Sequence, residues 1–171
     1  MNAGANIPLI TFFPSFKLKK IKNKIVGVYL NNIIYFEKII VMPLKLRYEL
    51  EFPINSSPQL LYQYISTPSG LQEWFADNVN SRGEFFVFQW NDSDENAKLV
   101  SKKSDEKVKF KWLDEDKKDT DYFFELRILE DEITKDVSLM VVDFAVEDEI
   151  EESKQLWENQ ISDLKHVIGS V

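Results

Sequence analysis

The sequence predicts an α+β domain: a curved antiparallel sheet wrapped around a long C-terminal helix, with two short helices after the first strand. Three observations point to it. Short runs of alternating apolar and polar residues recur between charged turns, a proline- and glycine-punctuated apolar segment follows the first of them, and the chain closes on an amphipathic stripe.

The first strand is the clearest element. In Leu44 to Phe52, Leu46, Tyr48, Leu50 and Phe52 alternate with Lys45, Arg47, Glu49 and Glu51, which separates a dry face from a wet one. Ser57 then stands where a helix N-cap belongs, with Pro58 as the first helical residue and Leu61, Tyr64 and Ile65 on one face. That helix must stop near Thr67, because the residue before Pro68 avoids the α region. Pro68 opens a second short helix capped by Thr67, whose inner face carries Leu71, Trp74 and Phe75 at i, i+3 and i+4.

The runs EFFVFQW, AKLVSKK, KVKFKWL, DYFFELRILE and VSLMVVDFA read as further strands. The turns NDSDEN, KKSDEK, DEDKKDTD and EDEITKD between them are too short for crossover helices, so successive strands should pair as an antiparallel meander. The pattern leaves open which of Phe85 and Phe86 points inward. From Val146 onward, Ile150, Trp157, Ile161, Leu164 and Ile168 form a helical stripe widened by Leu156 and Val167. Acids crowd its first turns, Lys165 and His166 sit in its last, and Gly169 follows as a stop, giving a helix of about five turns. Its stripe needs an apolar partner, and the dry face of the sheet is the one available.

Composition narrows the function. With 44% hydrophobic and 13% aromatic residues in 171, the chain can bury a substantial single core, and having no cysteine it offers no thiolate nucleophile and suits a reducing cytoplasm. The formal charge of −8 is unevenly spread: residues 1–41 hold six lysines against Glu37, leaving 15 basic and 28 acidic residues, or −13, beyond them. Such a domain repels phosphate backbones, which excludes nucleic-acid binding as its expected role. The apolar stretch Ile25 to Val41 is interrupted by Asn31, Asn32, Glu37 and Lys38 and is too short and polar to span a bilayer. Regular alternation begins only beyond Met42, so residues 42–171 are expected to be the domain. Residues 1–41 are then a leader, either an upstream extension of the reading frame or an arm.

The element order, together with TPSGLQEWFAD after the first helix, FFVFQW, VKFKWLD and the closing LWENQISDLKHVIG, resembles the START-like or birch-pollen-allergen superfamily. The nearest branch it resembles is the heat-shock-protein-90 ATPase activator-like domains. The resemblance covers Met42 to Val171 and implies a helix-grip fold with an internal cavity. The superfamily includes lipid and hormone carriers, polyketide cyclases and chaperone activators, so function rests on the site.

Tyr48, Trp74, Phe75, Phe86, Phe88, Trp90, Phe110, Trp112, Tyr122, Phe124 and Trp157 are the candidate ligand-lining residues, since ligand sites are concave and rich in aromatic side chains. Tyr48 and Tyr122 would supply the polar contacts, a phenol having an apolar body and a hydrogen-bonding tip. Arg127 falls on the wet parity of its strand, and Asp143 is outward if Met140, Val142 and Phe144 face in. No catalytic set, metal site or cofactor is expected. His166 reads as a helix-end surface residue, and Glu147 to Glu152 as helix-start electrostatics. Asp114 to Glu125 carries Lys118 and Asp119 where a calcium loop needs its fifth ligand and its glycine. The function expected is non-enzymatic binding of a small hydrophobic molecule, lipids included, between sheet and helix. The alternatives are a protein-interaction module whose acidic exterior meets a basic partner, and a cyclase-like enzyme.

Overall fold

The computed structural model describes residues 26–30, 33–37, 44–91 and 93–170. The expected leader and its boundary at Met42 fall largely outside them. Within that leader, β1 (Val26–Leu30) and β2 (Ile33–Glu37) pair antiparallel as a two-stranded hairpin.

The remaining strands are β3 (Lys45–Ile54), β4 (Asn78–Arg82), β5 (Phe85–Trp90), β6 (Ser93–Lys103), β7 (Lys107–Leu113), β8 (Asp119–Glu130) and β9 (Val137–Val146). They form one curved, unclosed antiparallel sheet in the order β3-β9-β8-β7-β6-β5-β4. Strands β5 to β9 are the expected meander, β4 adds beside β5, and β3 adds along the outer side of β9. A 3₁₀ turn at Glu147–Glu149 leads into α3 (Ile150–Val167). Trp157, Ile161 and Leu164 of α3 are buried against the inner face of the sheet.

Local chemistry sets the elbow after β3. The Ser57 hydroxyl accepts the Leu60 amide at 3.2 Å and opens α1 (Pro58–Ser66). Thr67 Oγ1 donates to the Gln63 carbonyl at 2.7 Å and accepts the Gly70 amide at 3.0 Å, so one hydroxyl closes α1 and caps α2 (Pro68–Gln72). The two helices approach so closely that a Cβ on Gly70 would lie 2.4 Å from the Gln63 carbonyl oxygen. Trp74 and Phe75 lie just past the end of α2, in a turn held by the Phe75 amide donating to the Leu71 carbonyl at 2.8 Å.

Three readings of the sequence need correction. Strand β4 went unread because Asn-Val-Asn-Ser-Arg offers no alternation, its one buried side chain being Val79. The segment read as the turn NDSDEN is mostly strand, since β6 begins at Ser93 and only a tight turn with Asn91 at φ 49° separates it from β5. In β9 the inward residues are Leu139, Val141, Asp143 and Ala145, the parity opposite to that expected. Val142 on the outer face is also buried, which hides the alternation, and the pairing of Leu50 with Val141 and Tyr48 with Asp143 decides the register. The open choice in β5 is resolved likewise: Phe86 is buried and Phe85 is 52% exposed.

The acid-rich segment from Asp114 forms the β7–β8 turn. Asp114 Oδ1 accepts the Lys118 amide at 2.8 Å, and Lys117 takes φ 60°. The helix stop is also local: Gly169 at φ 70° lets the Ser170 amide reach the Lys165 carbonyl at 2.7 Å.

Candidate functional site

The space between sheet and α3 is occupied by aromatic rings in mutual contact. Phe75 is at its centre, with centroids 5.1 Å from Phe124, 5.3 Å from Phe88, 5.4 Å from Trp90 and 5.6 Å from Trp157. Trp112 and Phe110 extend the cluster at 4.9 and 5.0 Å from Phe124, and Phe86 joins at 5.0 Å from Phe110. Edge-to-face and offset contacts of this kind add to the burial of each ring. One backbone oxygen ties three elements together: the Phe75 carbonyl accepts from Trp90 Nε1 at 2.8 Å and from Gln160 Nε2 at 3.3 Å. Trp74 Nε1 donates to the Tyr64 carbonyl at 3.1 Å, which fixes its indole against the end of α1.

A polar island sits under the first turns of α3. Asp143, 2% exposed, accepts from Trp157 Nε1 at 2.9 Å, from the Tyr48 hydroxyl at 3.4 Å and from the Phe144 amide at 2.8 Å. Ser153 is buried beside it. Burial pushes the Asp143 carboxyl up to about 6 despite those donors and the nearby Lys45. Burial, with the Asp143 charge second, raises the Tyr48 phenol as well. Desolvation lowers Lys45 to about 8, and burial, with Asp94 and Glu115 nearby, lifts Glu95 to about 7. Asp143 thus joins the sheet to α3 through Trp157. The parity reading had placed it outside, and its cross-strand pairing with the inward Tyr48 was the available signal.

Open space lies at the margins of the cluster. A groove of about 390 Å³ runs between the α2–β4 elbow and the second half of α3. Trp74, Phe75, Ala76 and Trp90, flanked by Gln72, Glu73 and Asp77, form one side, and Gln160, Asp163, His166 and Val167 the other. A second hollow of about 350 Å³, near β4 and β5, is lined by Phe85, Phe86, Asn80 and Leu113 among others.

The expected lining residues therefore divide. Trp74, Phe75 and Trp90 border the groove and Phe86 the second hollow, while Phe88, Phe110, Trp112, Phe124 and Trp157 are packed into the core. Tyr48 is buried with Asp143, and Tyr122 is half-buried under Lys45, whose Nζ lies 4.9 Å from its ring centre. Arg127 lies on the outer face as expected, bonded to Glu49 at 3.2 Å and Glu125 at 2.8 Å. Gln160, which was not singled out, contributes a half-buried amide to the groove. Its signal was position alone, one residue before Ile161 on the buried stripe.

The sheet, the gripping helix and the aromatic interior define the class, and comparison with known families agrees. A family model for the START-like superfamily domain matches residues 42–170, and the chain belongs to that superfamily. It is 34% identical to BfR322 from Bacteroides fragilis, known from a solution NMR structure, with a TM-score of 0.53 over 74% of this chain and 93% of that one. It is similar in fold to the Aha1 protein of Colwellia psychrerythraea, described as a dimer, at 15% identity and TM-score 0.58 over 70% of this chain and 93% of that one. It is likewise similar to CalU16 from Micromonospora echinospora at 17% identity and TM-score 0.58 over 74% and 77% of the two chains. Among the curated proteins no match was found. Among the described residues no helix is long and apolar enough to cross a membrane.

Proposed function

We propose that the domain binds a small apolar molecule in the groove between the α2–β4 elbow and α3, without chemical conversion. The observation that carries this is the meeting of Trp74, Phe75 and Trp90 on one wall of a space of about 390 Å³. Small-molecule sites typically start at about 300 Å³ and take much of their wall from aromatic and apolar groups. Its polar groups are Gln160, Asp163 and His166 on α3 and Gln72, Glu73 and Asp77 at the elbow. Asp143 has the raised pKa that catalytic carboxyls share, but it is buried, bonded by Trp157 and Tyr48, and does not border the groove, so its role is to hold α3.

The reading is tested by titrating the protein with a panel of fatty acids, sterols and aromatic polyketides while tryptophan fluorescence is followed. Saturable binding is expected, weakened about tenfold or more by Trp74→Ala, which removes one wall. Val167→Trp, which fills the groove from the last turn of α3, should also block it. Circular dichroism would verify that both variants are folded. A panel that produces no saturable change on the intact protein would overturn the reading.

A further inference from the structure

The outer face of the sheet carries a band that the acidic composition of the domain conceals. Read straight across the strands, Arg82 stands opposite Phe85, Phe85 opposite Lys98, Lys98 opposite Lys111 and Lys111 opposite Phe123. The Phe123 ring meets that of Phe144 at 4.8 Å, and Phe144 pairs with Arg47 on β3. Cations and aromatic rings share this line, and no carboxylate occupies a position in it. It crosses all seven strands, or about 29 Å at about 4.8 Å per step.

Its neighbours reinforce it. Lys109 Nζ lies 3.5 Å from the Phe123 ring centre and Lys98 Nζ 5.9 Å from that of Phe85. One side of the band holds a second row, Lys103 opposite Lys107 and Lys107 opposite Arg127, in which Lys103 is paired with Glu106 and Arg127 with Glu49 and Glu125. Carboxylates sit on its flanks: Asp119 is 3.6 Å from Lys111, Glu49 bonds Arg47, and Glu125 stands opposite Lys109. Like charges directly opposite one another destabilise a sheet, and phenylalanine on the wet face forgoes burial. Beyond residue 41 the domain has 28 acids against 15 bases, yet within the band Lys98 stands directly opposite Lys111.

We propose that this band is a docking surface for an acidic polypeptide segment that interleaves carboxylates with apolar side chains. The carboxylates meet Arg82, Lys98, Lys111 and Arg47, and the apolar groups meet Phe85 and the Phe123–Phe144 pair. The sheet curls around α3, so the band lies on a convex, twisted surface. A flexible chain follows such a surface, whereas a flat anionic bilayer touches only part of it. A nucleic acid carries a charge on every nucleotide, including those beyond the band that face the acidic remainder of the domain.

The test uses the full chain and a fluorescein-labelled peptide of about ten residues that interleaves Glu with Phe and Leu, enough to span the band at about 3.3 Å per residue. Fluorescence anisotropy at low salt should show saturable binding that salt weakens. A matched peptide with Lys in place of Glu should not bind. Lys98→Glu and Phe85→Ser are each expected to weaken binding about tenfold. Lys98→Glu also places an opposite charge across from Lys111, so this variant should melt no lower than the parent while losing the peptide. Loss of affinity with stability retained is not the signature of a merely structural lysine. The proposal is overturned if the acidic peptide does not saturate or if neither variant weakens it. Tighter binding of a single-stranded oligonucleotide or a phosphatidylserine vesicle would also overturn it, as would self-association of the chain through the band.

Discussion

Replacing Asp143 with asparagine should change how the stability of the domain depends on pH. The carboxyl ordinarily titrates at 3.8, and burial raises it to about 6 in the folded protein. The folded state therefore binds this proton more tightly than the unfolded chain, so stability from this group is greatest at low pH. It falls as pH rises between roughly 4 and 6, and the loss is complete above the folded pKa. At about 1.4 kcal/mol per pK unit, ionised Asp143 costs the folded state on the order of 3 kcal/mol. About 2 kcal/mol of this develops between about pH 4.5 and about pH 7.5. Asparagine keeps the shape and an oxygen for the Trp157 indole but does not titrate. Urea denaturation of parent and Asp143→Asn at those two pH values isolates the group, because the other acids, the raised Glu95 among them, are common to both. The stability difference should move by about 2 kcal/mol in favour of the variant as pH rises. Parallel pH profiles for the two proteins would refute the assignment of Asp143 as a strained buried carboxylate.

Trp157→Ala should cost about 3 to 5 kcal/mol by chemical denaturation, since it empties a ring stacked on Phe75 and removes a donor to Asp143. A loss below about 1 kcal/mol would mean that α3 does not grip the sheet. Gly70→Ala should lower stability by about 1 to 3 kcal/mol, although alanine is the better helix former, because the new Cβ meets the Gln63 carbonyl oxygen. Circular dichroism melting of a chain beginning at Met42 should give a Tm within about 2 °C of the full chain, and a larger drop would show that residues 1–41 pack on the domain.

Elements whose two faces differ in polarity were legible in the sequence, and those whose faces do not were hidden. Strand β7 alternates three lysines with Val108, Phe110 and Trp112, so both its extent and its inward face follow directly. The caps Ser57 and Thr67 and the stop at Gly169 are chemical signals that act locally and need no tertiary context. Strand β9 is apolar on both faces because Val142 is covered from outside, so its parity depends on its partner β3. Strand β4 has almost nothing to bury, and only its pairing with β5 makes it a strand. At the site, the aromatic residues were identifiable by type. Which of them border open space depends on how Phe75 fills the centre, a matter of packing across five elements. The band on the outer face depends on cross-strand register, which composition does not contain.

A seven-stranded sheet that does not close leaves, on each outermost strand, here β3 and β4, a row of backbone donors and acceptors that no neighbouring strand of the sheet pairs, although the Gln72 side chain takes the Val79 amide. Such rows are templates on which a second chain can grow. The apolar poverty that hid β4 is suited to that place: five residues, Asn78 to Arg82, are too few and too hydrated to recruit another strand. β3 is longer, and it is guarded by Arg47, Glu49 and Glu51 and by Pro53, which lacks an amide hydrogen. Making Asn80 and Arg82 valine would therefore leave the folded domain little changed but turn its rim into a seed for polymerisation during refolding.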